Sequence, residues 1–253
     1  MDHHVIGVVG ASGGLGTSTL AVAVALRAAR GLGATTCVDA DFAAGGLDVT
    51  ACLEHRRGVR WADLAAARGD LDGAALLRAL PHEGSMRVLA ARGQPPADEV
   101  ASAAVRALRQ VCAVTVLDLG RDVALAPLCT DLVVVSGESA RHLADALALA
   151  PRVAGQPTPA HLLLRAGRHL SVSPEEMAIH LDLPVLGILR DDAQTAADAD
   201  RARVPGSREG GVLARAADQV LAACGSGASG PGSSGSGSSG PRASGPGAAR
   251  ESA

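Results

Sequence analysis

The feature that most constrains the fold is an apolar run that meets a cluster of glycines and is followed by a helical pattern. Residues 5–9 are apolar and mostly β-branched, which predicts a buried strand. Residues 10–16 include four glycines, and residues 17–30 are rich in alanine, valine and leucine, as in a helix. Glycines let the backbone approach a ligand, and free N–H groups at a helix start attract an anion. This arrangement predicts an α/β chain with a phosphate site after its first strand.

The alternation of strand and helix continues along the chain. Six further apolar runs predict strands at 35–38, 86–90, 111–119, 132–136, 161–164 and 185–189. Helical patterns predict helices at 59–68, 72–80, 97–110, between 137 and 150, and at 212–223, with another that starts at a capping box in 173–176. Strands that are hydrophobic throughout and alternate with helices form mostly parallel sheets with helices on both faces. We therefore predict a single α/β domain with about seven strands.

Composition separates this domain from the end of the chain. Residues 225–253 are mainly glycine, serine, proline and alanine, which predicts a folded domain at 1–224 and a disordered tail at 225–253. No apolar stretch approaches the length of a membrane span, so we expect neither a signal peptide nor a transmembrane helix. The net charge of -3 gives no reason to expect nucleic acid as a partner. The five widely spaced cysteines form no C-x-x-C pattern and are expected to be free thiols in the cytoplasm.

Three interpretations of the glycine loop remain open. In the first, residues 11–18 are a phosphate loop of the Walker type, G-x-x-x-x-G-K-[ST], with Thr17 where lysine belongs. The residues that contact the nucleotide are then Ser12, Gly13, Gly14, Leu15, Gly16, Thr17, Ser18 and Thr19. In the second, Gly10, Gly14 and Gly16 form a dehydrogenase fingerprint. In the third, the loop is a glycine turn that binds no ligand.

Composition alone limits the dehydrogenase interpretation. Short-chain dehydrogenases usually move a proton with a tyrosine and a lysine four residues apart. The chain contains no tyrosine, and all 23 of its basic residues are arginine. That chemistry is therefore excluded, although binding of a dinucleotide, or a small-molecule enzyme built on the same loop, is not.

Acidic residues follow two of the predicted strands. Asp39 and Asp41 come after the second strand, and Asp118 lies near the end of the strand at 111–119. The carboxyl ends of parallel strands line the crevice of such sheets, so we expect these side chains near the loop. Asp48 is expected to be structural, and Trp61 to be a packing anchor. Asp191 and Asp192, just after the last strand, would reach a base or ribose or else be exposed.

These stretches resemble the ParA/MinD family of ATPases. The loop is similar to that family's K-G-G-x-G-K-[ST] loop, with Gly13, Gly14, Gly16 and Ser18 matching. Segment 37–50 resembles its second acidic motif, and segment 114–120 resembles its Walker B strand. More narrowly, the lysine-free loop resembles the CpaE/TadZ branch, which localises pili. Segments 46–49 and 61–64 resemble actinobacterial CpaE-like proteins, some described as septum-site-determining (Ssd); we expect the receiver-like N-terminal domain usual in that branch to be missing here.

The resemblance, which covers roughly residues 5–222, carries specific expectations. It implies a single P-loop NTPase-like domain that binds ATP with Mg²⁺, forms a homodimer and recruits partners of a division, pilus or secretion apparatus. It implies that Asp39 is catalytic, that Asp41 binds nucleotide, and that Ser18 and Asp118 hold Mg²⁺. A MinD-type membrane-targeting helix is not evident, so we expect no direct membrane insertion. A ligand-free constitutive scaffold is the alternative.

Two departures from the family pattern weaken the expected chemistry. Ser12 stands where the family has a lysine that reaches the partner's nucleotide, and Thr17 where the loop lysine contacts the β- and γ-phosphates. A hydrogen bond to a charged group is worth about 1.5–3 kcal/mol, so ATP binding should weaken roughly ten- to a hundredfold. Hydrolysis should suffer more, because phosphoryl transfer depends on positive charge. We expect a weak or degenerate ATPase, with Arg121 as the nearest substitute cation.

Overall fold

The computed structural model describes residues 3–225. The tail predicted to be disordered lies outside the described residues, apart from Gly225, which ends the last helix. The strands are β1 (His4–Gly10), β2 (Thr35–Asp39), β3 (His82–Glu83), β4 (Met86–Leu89), β5 (Val114–Asp118), β6 (Asp131–Gly137), β7 (Ala160–Ala166) and β8 (Val185–Arg190). The helices are α1 (Thr17–Gly31), α2 (Leu47–Thr50), α3 (Gly73–Ala79), α4 (Asp98–Arg109), α5 (Ala140–Ala154), α6 (Pro174–Leu181), α7 (Ala193–Ala199) and α8 (Val212–Gly225), with 3-10 turns at Trp61–Leu64 and Ala126–Leu128.

All eight strands form one sheet in the order β3-β4-β2-β5-β1-β6-β7-β8. Every pairing is parallel except that of β3 with β4. The central strands β2, β5 and β6 are buried along their whole length, as the unbroken hydrophobic runs predict for a sheet covered on both faces. The predicted single α/β domain with a mostly parallel sheet is therefore confirmed.

Helix α1 is the element that joins the first loop to the core. Its buried side chains include an unbroken run from Leu20 to Leu26, and α1 packs against α8 on one face of the sheet. Such a helix is apolar nearly all round because neighbours cover most of its surface. The loop before α1 is therefore anchored at both ends, by β1 at the sheet centre and by a buried helix. Within residues 3–225, no helix combines the length and the apolar character needed to cross a membrane.

The structure departs from the predicted elements in several places. Helix α2 was not predicted, because four residues after a glycine-rich segment are too few to show a helical period. Strand β3 has only two residues and was not predicted. The helix predicted at 59–68 is only a 3-10 turn, because the fully buried Trp61 is held in the core and its backbone N–H donates to Ala90 O. Helix α7 was missed because none of its residues is buried, so it shows no apolar face. Ser173, the first residue of the predicted capping box, is the N-cap of α6, and its hydroxyl accepts from the N–H of Glu175 and Glu176.

Parallel pairing brings the carboxyl ends of the central strands to one edge of the sheet. β1 ends at Gly10, while Asp39 and Asp118 end β2 and β5 and are register partners. Strand β7 ends beside β8 at the same edge, which places Arg165 opposite Leu189. Residues far apart in the sequence thus surround the glycine loop.

Candidate functional site

The loop after β1 is shaped by its glycines and by bonds to neighbouring strand ends. The N–H of Gly10 donates to Gly120 O at 2.7 Å, and the N–H of Ala11 donates to Val135 O at 2.9 Å. Gly14 and Gly16 have φ of 77° and 80°, a left-handed conformation that side chains disfavour. Gly16 is the N-cap of α1 and has no side chain to satisfy the first helical N–H groups. No side chain caps these amides, so an anion could bind to them.

Thr17 occupies the base of the loop. Its side chain is largely buried, and its Oγ1 lies only 2.5 Å from the position that a Cβ on Gly10 would take. A hydroxyl packed against the strand end is a small neutral group, in contrast to the extended cation that a lysine would offer here. Gly10 is consequently required for space, and Thr17 supplies no charge to the loop.

Ser18 and Asp118 meet directly below the loop. The Ser18 hydroxyl lies close enough to the Asp118 carboxyl group to lower its pKa, and the backbone N–H of Gly120 donates to Asp118 Oδ1 at 3.3 Å. Burial raises the pKa of Asp118 to about 6, while Ser18 and the Gly120 N–H favour the ionised form and the charge of Asp41 opposes it. A hydroxyl paired with a strand-end carboxylate is the oxygen donor set that Mg²⁺ prefers beside phosphates. The two residues predicted to hold Mg²⁺ are therefore brought together.

Asp41 lies on the other side of Asp118. Its carboxyl group packs against Gly120, where a Cβ would overlap it, and Gly120 adopts a left-handed φ of 55°. Asp41 Oδ1 also accepts from the N–H of Ala44 at 3.2 Å, which closes the turn after β2. Asp41 is thus next to the predicted Mg²⁺ residues and only partly buried.

Asp39 is buried beside Asp118 and its carboxylate is engaged by the backbone. Oδ2 accepts from the N–H groups of Leu47 and Ala91, both at 3.1 Å, and the backbone carbonyl accepts from Trp61 Nε1 at 2.7 Å. Burial raises the pKa of Asp39 to about 7, and the negative charge of Asp118 adds to the rise against those backbone bonds. Asp39 therefore joins the segments after β2 and β4 and has direct bonds to both.

Ser12 is turned toward helix α5. Its hydroxyl donates to Asp145 Oδ2 at 2.6 Å, and Asp145 also pairs with Arg141 at 3.0 Å. The bonds from Ser12 and then Arg141 lower the pKa of Asp145 and keep it ionised. Ser12 is buried in this arrangement, while Gly13 and Gly14 stay exposed at the mouth of the loop.

A cavity of about 450 Å³ adjoins the loop on its α7 side. Its lining includes Gly16 and Thr19 from the loop and α1, and Arg165, Asp191 and Asp192 from the ends of β7 and β8. The volume falls within the range of small-ligand sites, roughly 300–1,000 Å³. Asp191 and Asp192, for which sequence reasoning left two roles open, thus face a cavity beside the loop. Arg165 was not identified from the sequence, although it lies at a strand end like the acidic residues that were.

Asp48 and Trp61 have the structural roles that the sequence predicted. Asp48 is fully buried, and its Oδ2 forms ion pairs of 2.9 Å with both Arg60 and Arg92. Trp61 is fully buried and packs edge to face on Phe42, with ring centroids 5.6 Å apart. Buried ion pairs and aromatic contacts of this kind fix the segment between the two acidic strand ends.

The described residues fit a nucleotide with Mg²⁺ in part. The free loop amides and the Ser18–Asp118 pair suit a phosphate bound to the metal, whereas Ser12 and Thr17 offer no positive charge. Across residues 3–225, no group of three or more His, Cys, Asp or Glu side chains is placed to hold a metal by itself. A metal at Ser18 and Asp118 would therefore share its coordination with phosphate and water oxygens. All five cysteines are free thiols, as predicted.

Comparison with known proteins places this geometry on a known fold. No protein-family model matches the chain. It is 34% identical over 224 residues to the uncharacterized protein Rv3660c of Mycobacterium tuberculosis (strain ATCC 25618 / H37Rv), a match that covers 86% of this chain and 63% of that protein. The chain therefore spans less than two thirds of the relative's length.

Solved structures share the fold at low sequence identity. A ParA family ATPase from Chlorobium tepidum TLS has a TM-score of 0.73 at 18% identity, covering 86% of this chain and 97% of that one. The septum site-determining protein MinD of Pyrococcus horikoshii OT3, complexed with Mg-ADP, has a TM-score of 0.70 at 14% identity, covering 89% and 97%. The fold is therefore that of ParA and MinD ATPases.

Proposed function

We propose that this protein is a ParA/MinD-like spatial positioning protein that binds Mg-ATP weakly and recruits protein partners. The observation that carries the proposal is that the Ser18 side chain lies near the Asp118 carboxyl group, beside a glycine loop whose first helical amides have no side-chain cap. A fold alone does not define a function, but a hydroxyl beside a strand-end carboxylate supports a site for phosphate with Mg²⁺. The resemblance to the CpaE/TadZ branch supports a role at a septum or at a pilus or secretion apparatus.

Different residues of the site would bind the phosphates and the metal. The amides of residues 13–19 would hold the phosphates, and Ser18 and Asp118 would hold Mg²⁺, with Asp41 beside them. The metal supplies the positive charge that the loop sequence lacks. Asp39 is the proposed catalytic carboxylate because it ends β2 next to Asp118, and burial raises its pKa to about 7, which suits proton exchange near neutral pH.

Hydrolysis is expected to be slow in this arrangement. Phosphoryl transfer is catalysed mainly by positive charge and positioning around the transferred group, and neither Ser12 nor Thr17 carries charge. Binding of the nucleotide, rather than its hydrolysis, would then control the protein. In this proposal the protein is a cytoplasmic homodimer that its partners recruit to the septum or pole.

Calorimetric titration of the full chain with Mg-ATP, Mg-ADP and NAD tests the proposal. We expect measurable binding of the adenine nucleotides with Mg²⁺, and its loss in Ser18→Ala and Asp118→Asn. Ser102→Ala, on helix α4 away from the loop, is the matched hydroxyl control and should bind as the wild type does. A preference for NAD would instead indicate a dinucleotide binder.

Sedimentation tests whether the protein forms a homodimer that responds to nucleotide. A homodimer whose mass distribution shifts with Mg-ATP agrees with a nucleotide-dependent positioning protein. A dimer that is unaffected by Mg-ATP, together with no heat of binding for any nucleotide, would identify a constitutive scaffold and refute the proposed nucleotide site.

A further inference from the structure

Arg165 links the glycine loop to the adjoining cavity. It is the next-to-last residue of β7, and its Nη1 donates to the backbone carbonyl of Gly14 at 3.0 Å across 151 positions of sequence. Its Nε donates to Asp191 Oδ1 at 2.9 Å. Nη1 also lies 3.2 Å from the position that a Cβ on Gly16 would take. The guanidinium therefore rests on the loop itself, on its carbonyl side.

We infer that Arg165 is the positioning residue of the loop and the cation of the nucleotide site, with its charge directed to the phosphate next to the nucleoside. This inference rests on the proposed function, because it assigns the charge that the loop sequence lacks. A guanidinium has five N–H donors in a rigid fork, and the bonds to Gly14 and Asp191 use two of them. The same side chain lines the cavity, so its remaining donors are available there.

The position of Arg165 specifies which part of a ligand it contacts. Loop N–H groups receive the terminal phosphates, whereas Arg165 approaches from the carbonyl side, between Gly16 and the cavity wall. A ligand that places its terminal phosphates on the amides and its nucleoside in the cavity must pass this guanidinium. The expected ligand class is therefore a nucleoside phosphate, in preference to inorganic phosphate or pyrophosphate.

Other arginines near the site are placed differently. Arg141 pairs with Asp145 on α5. Three further arginines line the same cavity: Arg190, which donates to Gly167 O, and Arg203 and Arg208, which both pair with Asp198. Arg121, the substitute cation considered from the sequence, has an exposed side chain. In the part of the chain that the structure describes, Arg165 alone among the arginines donates to a backbone atom of loop 11–16. It is thus fixed against the loop before any ligand binds.

Titration of the full chain with Mg-ADP and with pyrophosphate tests the inference. Arg165→Gln should weaken Mg-ADP binding roughly tenfold or more, the loss expected for one charged hydrogen bond, and should weaken pyrophosphate binding less. Arg165→Lys keeps the charge and should recover part of the lost affinity. Arg168→Gln, an exposed neighbour on the loop after β7, is the charge-matched control and should leave Mg-ADP affinity unchanged.

Three results would overturn the assignment. Wild-type affinity in Arg165→Gln would do so, as would an equal loss for Mg-ADP and pyrophosphate. A selective loss in Arg121→Gln would transfer the role to that arginine.

Hydrogen exchange separates this inference from the proposed function. Without any nucleotide, Arg165→Gln should speed exchange at the hydrogen-bonded amides that flank the loop, those of Gly10, Ala11 and Leu20, because the bond that holds Gly14 in place is gone. If the wild type binds no nucleotide, the proposed function fails, and the positioning role is then decided by exchange alone: unchanged exchange in Arg165→Gln refutes it.

Discussion

The Ser12 hydroxyl donates a hydrogen bond of 2.6 Å to Asp145 on helix α5, and so the mouth of the glycine loop is tied to the neighbouring helix. In the family that this sequence resembles, that position carries a lysine directed at a partner subunit. Here the side chain is buried and bonded within its own chain. Any dimer of this protein must therefore be held by contacts other than a lysine at this position.

Asp145→Asn should strengthen binding of anions to the loop. An asparagine can still accept the Ser12 hydrogen bond, but it removes a negative charge beside the loop. We expect a gain in Mg-ADP affinity of roughly twofold to fivefold that shrinks as salt is added, because the charge is near the surface. Calorimetric titration at two salt concentrations measures it. Weaker binding in this variant would mean that the charged form of Asp145 is needed to hold the loop open.

Thr17→Lys should raise ATP affinity by restoring the missing cation. The gain expected from one hydrogen bond to a charged group is roughly ten- to a hundredfold. Thr17 is buried against Gly10, so a lysine must extend from there into the loop to reach the phosphates. Titration with Mg-ATP checks this, with Thr17→Met as the uncharged variant of similar length. An equal affinity in the two variants would count against the Walker alignment.

Binding of Mg-nucleotide should strengthen as the pH rises through about 6. Asp118 must be ionised to hold the metal, and burial raises its pKa to about 6, with Ser18 limiting the rise. Between about pH 5.5 and 7.5 the ionised fraction grows roughly fourfold, and affinity should follow. Titrations over this range, corrected for the nucleotide's own proton and Mg²⁺ binding, measure the change. A flat profile in the wild type would exclude Asp118 as a ligand.

The nucleotide-free protein should lose stability as the pH rises from about 5 to 8. Burial raises the pKa of Asp39 to about 7, above its value in the unfolded chain, so the folded state binds the extra proton at low pH and loses that advantage as pH rises. At about 1.4 kcal/mol per pKa unit, the free energy of unfolding should fall by a few kcal/mol.

Asp39→Asn provides the matched variant for this stability measurement. Its amide oxygen can still accept from Leu47 and Ala91, but it cannot ionise. Denaturant unfolding at both pH values should therefore show a smaller pH dependence than in the wild type. If both proteins lose stability to the same extent, the titrating group lies elsewhere.

Most of the fold could be predicted because its signals are local. The seven longer strands are mostly apolar, and glycines or prolines mark several of the intervening boundaries. Strand β3 was not predictable, because two residues carry no periodicity and pair only through the edge of β4. The turn at Trp61–Leu64 looked helical because its local pattern gives no sign that Arg60 is drawn toward the buried Asp48.

The site was predictable to the extent that strand ends define it. Gly13 to Ser18, Asp41 and Asp118 were found because motif spacing and parallel strands place them at one edge. The bonds from Ser12 to Asp145 and from Arg165 to Gly14 were not found. They join residues 133 and 151 positions apart, and an aspartate in a helix or an arginine at a strand end is too common to indicate such a partner.

Trp61 gives this protein a built-in optical reporter. It is the chain's single tryptophan, and tyrosine is absent, so near-ultraviolet emission comes essentially from one ring. That indole donates to the carbonyl of Asp39, whose carboxylate lies beside Asp118. Ligand-induced movement of the acidic strand ends would alter the emission of this ring, so unlabelled protein can be followed in real time by its intrinsic fluorescence.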